Sequence, residues 1–204
     1  MTGRIIIDLF TTVDGVAQAP GGADEDREGG FEFGGWQAPF ADRTSSDLIS
    51  GGIARMDALL LGRRTYDNFA GYWPHQRGTI AEVLNRVPKY VATRGTLSPE
   101  WTGTTQLGLD LAAEIAALRE RHGETHVIGS VDLVQSLLAD DLYDELKLWI
   151  YPVVLGQGKK VFPDGAAPTT LRLVAPAVTT ENGLILLRYA PAGPVVAGKM
   201  APEG

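Results

Sequence analysis

Two adjacent arginines follow a run of leucines at residues 59–65, where the sequence reads LLLGRRT. An apolar run that ends at a glycine is typical of a buried strand that leaves a sheet through a tight turn. A turn needs no cations, whereas Arg63, Arg64 and Thr65 offer guanidinium and hydroxyl donors suited to phosphate. We therefore predict an anion site at residues 62–65.

A second stretch, THVIGSVDL at residues 125–133, follows the same plan. An apolar strand ends at Gly129 and Ser130, and a helix is predicted to begin directly after them. Helix N-termini carry free N–H groups and a partial positive charge, and the carboxyl ends of parallel strands share one edge of a sheet. Thr93 and Arg94 follow a third apolar run, PKYVA. Together these turns favour a nucleotide with several phosphates, although each alone is compatible with an ordinary turn and solvated arginines.

Asp14 and Asp47 are the candidate acids for chemistry on a substrate. Asp14 follows the first apolar run, in the sequence VDGV, and is our candidate catalytic residue, which contacts the substrate or relays a proton. Asp-Gly is also a strong turn dipeptide, so a purely structural role is the alternative. Asp47 lies on a predicted helix, where the alternative is a solvated surface acid.

Aromatic residues are spaced so that they could cover a flat substrate. Trp36 lies among glycines in FEFGGWQAPF and belongs either to a lid or to the anchor of its loop. Trp73, in the sequence YWPH, is predicted to line the same cleft. Tyr66 directly follows the first predicted anion site and completes this group of candidate substrate contacts.

The composition excludes several classes of function. The chain has 204 residues and a net charge of −7, so it lacks the basic field of a nucleic-acid-binding protein. It contains no cysteine, and His75, His122 and His126 share no ligand spacing, so we expect no metal site. The sequence shows neither a membrane span nor a signal peptide. We expect a cytoplasmic protein whose partner is a small molecule.

The elements that would position these residues alternate along the first part of the chain. Strands are predicted at residues 4–10, 58–61, 88–93 and 125–128, and helices at 40–54, 64–69, 79–86, 110–122 and 130–138. Residues 18–38 are rich in glycine and acidic residues and predict a long loop. From residue 143 the pattern changes to strands joined by loops. This order predicts an α/β domain with a largely parallel sheet and antiparallel strands at its C-terminal side.

Several ordered segments resemble the dihydrofolate-reductase-like family: TTVDGVAQAPGG, DALLLGRRTYDNF, PKYVATR and HVIGSVDLVQSLLADDLYDELKLWIYPVVLGQGKKVF. They are most similar to its branch named after the reductase domain of the bifunctional riboflavin-biosynthesis deaminase-reductase. The resemblance implies a three-layer α/β/α fold with a mixed, largely parallel central sheet, one reductase domain over residues 1–191, and a homodimer. The Gly- and Pro-rich segment 192–204 is predicted to be a flexible tail.

The resemblance also implies NADPH as the cofactor. The cofactor-binding residues that it implies lie at the three strand ends: Gly62, Arg63, Arg64, Thr65, Thr93, Arg94, Gly129, Ser130, Val131 and Leu133. Substrate contacts are assigned to Asp47, Trp36, Tyr66 and Trp73, with Asp14 as the catalytic acid. The implied reaction reduces a small heterocycle, similar to that of 5-amino-6-(5-phosphoribosylamino)uracil reductase or dihydrofolate reductase. A non-catalytic dinucleotide-binding domain of the same fold is the alternative, and an anion-binding scaffold is a third possibility.

Overall fold

The computed structural model describes residues 2–200, which form one nine-stranded sheet with helices on both faces. The strand order is β4-β3-β2-β5-β1-β6-β9-β7, and β8 also pairs with β9. The strands are β1 (Arg4–Thr12), β2 (Ala58–Gly62), β3 (Lys89–Ala92), β4 (Thr104–Gln106), β5 (Glu124–Val127), β6 (Glu145–Tyr151), β7 (Leu171–Leu173), β8 (Val178–Thr179) and β9 (Ile185–Pro191). The first six pair in parallel, and the last three are antiparallel.

Five α-helices connect the parallel strands. They are α1 (Arg43–Ile53), α2 (Arg63–Tyr72), α3 (Thr79–Arg86), α4 (Leu111–Arg121) and α5 (Val131–Ala139). Single 3₁₀ turns occur at Glu28–Gly30, Ala38–Phe40 and Trp73–His75. The predicted α/β fold with a mixed, largely parallel sheet and antiparallel C-terminal strands is confirmed.

Alternate residues of the central strands supply two separate cores. On one face, Ile5, Ile7 and Leu60 pack with α4 and α5. On the other face, Leu59 and Leu61 pack with α2 and α3, while α1 covers β6 and β9. Because both faces are covered, β2 is buried at every position, which explains its unbroken apolar sequence.

Two elements differ from the sequence-based expectation. Strand β4 was not predicted because its sequence, TTQ, is short and polar and carries no apolar periodicity. The segment TLRLVAPAVTT forms two short strands with a break that contains Pro176, since proline has no N–H for a sheet hydrogen bond.

Several charged side chains of β1 and β6 are largely buried. The Asp8 carboxylate accepts hydrogen bonds from Lys147 Nζ, at 3.3 Å, and from Trp149 Nε1. Glu145 is paired with both Arg4 and Arg188. Burial alone would raise the pKa of Glu145, but the hydrogen bonds from Arg188 and Arg4 lower that pKa below its ordinary value. Buried charges need such partners because the interior solvates them poorly.

The last described residues follow β9 without a further helix or strand. Their first part is tied to the sheet, since the Thr170 N–H donates to the Gly193 carbonyl at 2.8 Å. Residues 201–204 of the predicted tail and Met1 of the predicted domain lie outside the described residues. The domain limits and the flexibility of the tail stay predictions. Within residues 2–200, every helix is too short or too polar to cross a bilayer.

Candidate functional site

The two predicted anion turns lie side by side. The Gly62 N–H, at the end of β2, donates to the Gly129 carbonyl at 3.0 Å. A Cβ on Gly62 would lie 2.9 Å from the Ser130 Cβ, and a Cβ on Gly129 would lie 2.8 Å from Thr65 Oγ1. Gly129 also has a φ of +136°, which L side chains rarely adopt, and its peptide bond to Ser130 is cis. Glycine is therefore required at both positions for the N-termini of α2 and α5 to meet.

These helix starts border a cleft of about 1140 Å³. It runs along the carboxyl ends of β1, β2, β3 and β5, as expected for the ligand site of an open parallel sheet. Strands β1 and β3 are three positions apart in the sheet, so the two ends of the cleft are roughly 14 Å apart at about 4.8 Å per strand. Every residue predicted to bind the cofactor lines the cleft: Gly62, Arg63, Arg64, Thr65, Thr93, Arg94, Gly129, Ser130, Val131 and Leu133.

The two helix starts differ in their caps. Ser130 is the N-cap of α5, and its hydroxyl accepts a hydrogen bond from the Leu133 N–H at 3.5 Å. Gly62 is the N-cap of α2 and has no side chain to bond the free N–H groups of the first turn. The start of α2 consequently keeps unsatisfied donors at the cleft, where an anion can accept from them.

The paired arginines are engaged with protein groups. Arg63 Nε donates to both Asp67 carboxylate oxygens at 2.9 Å, and its Nη1 donates to the Thr96 carbonyl. Arg64 forms a two-pronged ion pair with Glu28. Arg94 is exposed and lines the cleft with no ion pair to another residue among 2–200. Of the three arginines, Arg94 therefore has the guanidinium that is most available to a ligand.

The residues predicted at the substrate are not all brought together. Trp73 lines the cleft. Trp36 is buried and donates through Nε1 to the Gln18 carbonyl at 2.7 Å. Tyr66 is buried against Trp101, with its hydroxyl accepting from the Trp101 N–H. These placements favour packing for Trp36 and Tyr66, and their roles at a substrate stay predictions.

The two candidate acids also lie outside the cleft lining. Asp47 is exposed on α1, with its carboxylate 3.8 Å from Arg43 Nε. The Asp14 carboxylate accepts hydrogen bonds from the Thr12 hydroxyl at 2.6 Å and from the Gly156 N–H at 2.8 Å. It thereby ties the turn after β1 to the loop after β6, which is the structural alternative left open by the sequence. A role of either acid in the reaction is untested.

An acidic segment at residues 18–28 forms a wall of the cleft that residue types alone did not assign. Its Asp26 and Glu28 carboxylates pair with Lys159, and Glu28 also holds Arg64. Burial raises the pKa of Glu25, although the Gly21 and Gly22 N–H groups donate to it. The sequence feature that could have identified this wall is the high density of acidic residues and glycines in the loop.

Comparisons with known proteins agree with this architecture. The family model of the RibD C-terminal domain matches residues 4–185. The uncharacterized protein YyaP of Bacillus subtilis (strain 168) is 26% identical over 192 residues, which cover 91% of this chain and 94% of that protein. A putative riboflavin biosynthesis protein from Shewanella sp. PV-4 superposes with a TM-score of 0.70 at 18% identity, covering 93% of this chain and 99% of that one.

Dihydrofolate reductase from Enterococcus faecalis, solved with NADP(H) and RAB-propyl, superposes with a TM-score of 0.58 at 16% identity. The superposition covers 94% of this chain and 98% of that one. At such identities these structures show a common fold, and that fold is the dihydrofolate-reductase-like one expected from the sequence. The family match extends from the first residue of β1 to the first residue of β9. The chain therefore belongs to the RibD C-terminal domain family, a family of reductase domains.

Proposed function

We propose that this protein is an NADPH-dependent reductase of a small heterocyclic substrate. The observation that carries the proposal is the contact between two helix starts, at residues 62–65 and 129–133. The first of them, the start of α2, has no side chain that caps its free N–H groups at the cleft. This arrangement suits a pyrophosphate, which offers acceptors to both turns. The neighbouring dihydrofolate reductase structure, which contains NADP(H), supports the same cofactor.

The cleft has room for a cofactor and a second molecule. Its volume of about 1140 Å³ exceeds the roughly 300–1,000 Å³ of a typical site for one drug-sized ligand. Thr93 and Arg94 border the β3 end, where they would hold the adenosine phosphate. Phe10, Tyr72 and Trp73 also line the cleft, and their rings suit a flat heterocycle.

NADPH supplies a hydride when it is bound. The protein positions the cofactor and the substrate and excludes water from them. The N–H groups of the two turns would fix the phosphates. The wall formed by residues 18–28 would shield the β1 end of the cleft from solvent, where the substrate would lie.

The test is binding followed by turnover. Micromolar NADPH binding, measured by calorimetry, is expected, together with NADPH oxidation in the presence of a member of a panel of pterins, pyrimidines and quinones. NADPH is expected to bind about tenfold tighter than NADH, and Arg94→Ala to remove that preference, since a charge-assisted contact contributes about 1.5–3 kcal/mol. Arg77→Ala, an exposed arginine outside the cleft lining, is the control.

Three results would count against parts of the proposal. Equal affinities for NADPH and NADH would remove the assignment of the arginines to the 2′-phosphate. Tight NADPH binding without turnover on any member of the panel would favour the non-catalytic dinucleotide-binding domain. Absence of NADPH binding would remove the proposal itself. A homodimer in the cytoplasm is part of the proposal, by analogy with the family.

A further inference from the structure

Two carboxylates hold the ammonium group of a lysine in the cleft. Lys159 is one of the lining residues. Its Nζ forms one ion pair with Asp26 and a second, at 2.6 Å, with Glu28. A phosphate binds a lysine through the charge and the N–H donors of this same group. Because Asp26 and Glu28 already engage the ammonium group, Lys159 has little attraction left for another anion.

A buried amide keeps these three residues together. The Gln18 side chain is 3% exposed. Its Nε2 donates to the Asp26 carbonyl at 3.1 Å and to the Glu28 carbonyl at 3.0 Å, and its Oε1 accepts from the Lys159 N–H at 3.0 Å. One side chain thus fixes the backbone at both acids and at the lysine. The ion pairs are therefore formed on a fixed backbone, unlike isolated surface pairs between mobile side chains.

Lys159 lies at the β1 end of the cleft. The Ala17 N–H donates to the Lys159 carbonyl at 2.8 Å, and the neighbouring residues Val16 and Lys160 form an antiparallel bridge. Val16 and Ala17 follow the turn at the end of β1, and Ala17 also lines the cleft. The substrate is proposed to lie at this end.

The other cations of the cleft lie at different strand ends. Among residues 2–200, the remaining cationic side chains of the lining are those of Arg63, Arg64 and Arg94. They follow β2 and β3, where the phosphates of the cofactor are proposed to bind. An anionic group on a substrate at the β1 end would therefore depend on Lys159.

We propose that Asp26 and Glu28 select against phosphorylated substrates, so that this reductase acts on a heterocycle without an anionic group. A phosphate at the β1 end would face two carboxylates and would have to displace both from Lys159. Unfavourable contacts with the wrong ligand are a common source of specificity. An uncharged heterocycle leaves both ion pairs intact. The inference rests on the proposed function and specifies its substrate class, which differs from 5-amino-6-(5-phosphoribosylamino)uracil in lacking a phosphate.

Ribose 5-phosphate is the probe for the engaged lysine. It is titrated by calorimetry into the NADPH-saturated protein, in which the cofactor occupies its own phosphate sites. A double variant, Asp26→Asn with Glu28→Gln, removes both charges and keeps the carbonyls that Gln18 binds. This variant is expected to bind ribose 5-phosphate about tenfold or more tightly than the wild type does. Adding Lys159→Met should abolish the gain. A gain that persists in the triple variant would come from Arg64, which also loses Glu28, and would overturn the inference.

A second double variant controls for charge. Asp24→Asn with Glu32→Gln also removes two negative charges from the same part of the chain, and both residues are exposed and make no ion pair with Lys159. It should bind ribose 5-phosphate as the wild type does. A gain equal to that of the first double variant would show that the charge of the loop, and not the engagement of Lys159, excludes the phosphate.

The wild type tests the substrate class directly. NADPH oxidation is compared with 5-amino-6-(5-phosphoribosylamino)uracil and with the same compound after removal of its phosphate. A higher kcat/KM for the compound without phosphate supports the inference, and a higher kcat/KM for the phosphorylated compound overturns it. For a wild type that reduces neither compound, the ribose 5-phosphate titration decides. Absence of NADPH binding from the wild type refutes the proposed function separately, and the difference between the double and triple variants still tests the role of Lys159.

Discussion

Asp14 is a residue for which a catalytic role and a structural role predict different results. Its carboxylate accepts hydrogen bonds from Thr12, Leu155 and Gly156, and it lies outside the cleft lining. We predict that Asp14→Asn lowers the free energy of unfolding by about 1 kcal/mol, because an amide nitrogen cannot accept these bonds. NADPH affinity and turnover should stay close to those of the wild type. Urea denaturation and steady-state kinetics on the same variant measure both effects.

The catalytic assignment of Asp14 predicts a different pair of results. Loss of an acid–base group typically lowers turnover by about 10²-fold or more. A fall of that size in the Asn variant at unchanged stability would restore Asp14 to the mechanism and refute the structural role.

At the scale of secondary-structure elements, the acidic segment 18–28 competes with the phosphates of the proposed cofactor for Arg64, a residue of α2. Glu28 holds Arg64 in a two-pronged pair, so a phosphate must displace a carboxylate to reach this guanidinium. We predict that Glu28→Gln tightens NADPH binding by about threefold to tenfold and that the gain shrinks at high salt. Calorimetry at two ionic strengths measures this effect. Glu32→Gln removes the same charge from an exposed residue outside the cleft lining and should change little. Equal changes in NADPH affinity for the two variants would show that the net charge of the protein, and not the pair of Glu28 and Arg64, controls the affinity.

Strand β3 and helix α3 are joined by a buried lysine. Lys89 Nζ donates to the Asn85 and Thr102 carbonyls and lies over the Trp101 ring. Burial lowers the pKa of Lys89 to about 8 from its ordinary value of 10.5. Between these two values the unfolded chain binds the proton more readily than the folded one, so the contribution of Lys89 to stability rises with pH across this window. Below pH 8 this contribution is at its lowest and nearly constant.

A Lys89→Met variant isolates that contribution. The free energy of unfolding of the wild type minus that of the variant is expected to increase from pH 8 to 10.5. Urea denaturation on both sides of the window gives this difference, and groups common to both proteins cancel. A flat difference across the window would show that Lys89 titrates normally in the folded protein, and a falling difference would show that its pKa is raised there.

At the scale of the molecule, the antiparallel end of the sheet is the proposed dimer surface. Leu173, Val174 and Val178 are 45%, 38% and 36% exposed at or beside β7 and β8, where the sheet ends. Exposed apolar side chains at a sheet edge favour association. We predict that the wild type is a dimer by light scattering at micromolar concentration and that Leu173→Glu is a monomer. Val196→Glu, at an apolar residue that is 87% exposed beyond the sheet, should remain a dimer. A monomeric wild type would refute the prediction.

The sequence predicts contacts formed by the backbone better than contacts formed by long side chains. Gly62 and Gly129 were placed correctly at strand ends because periodicity locates a strand, and parallel strands bring their ends to one edge. The engagement of Arg64 by Glu28 could not be predicted, since it joins residues 36 positions apart through a loop without periodicity. Gln37 Oε1 is buried and accepts no hydrogen bond from residues 2–200. This is likewise a property of tertiary packing, because a glutamine in sequence carries no sign of whether its oxygen finds a donor.

The contact between Gly62 and Ser130 also limits how this sequence can diverge. Any side chain at position 62 would occupy the space of Ser130, and the two residues belong to different strand–helix units. An added Cβ would also lie 3.0 Å from the Ser130 backbone N, so a smaller side chain at position 130 would not make room for alanine at position 62. Position 62 is thus expected to stay glycine in descendants of this chain for as long as the two turns stay in contact.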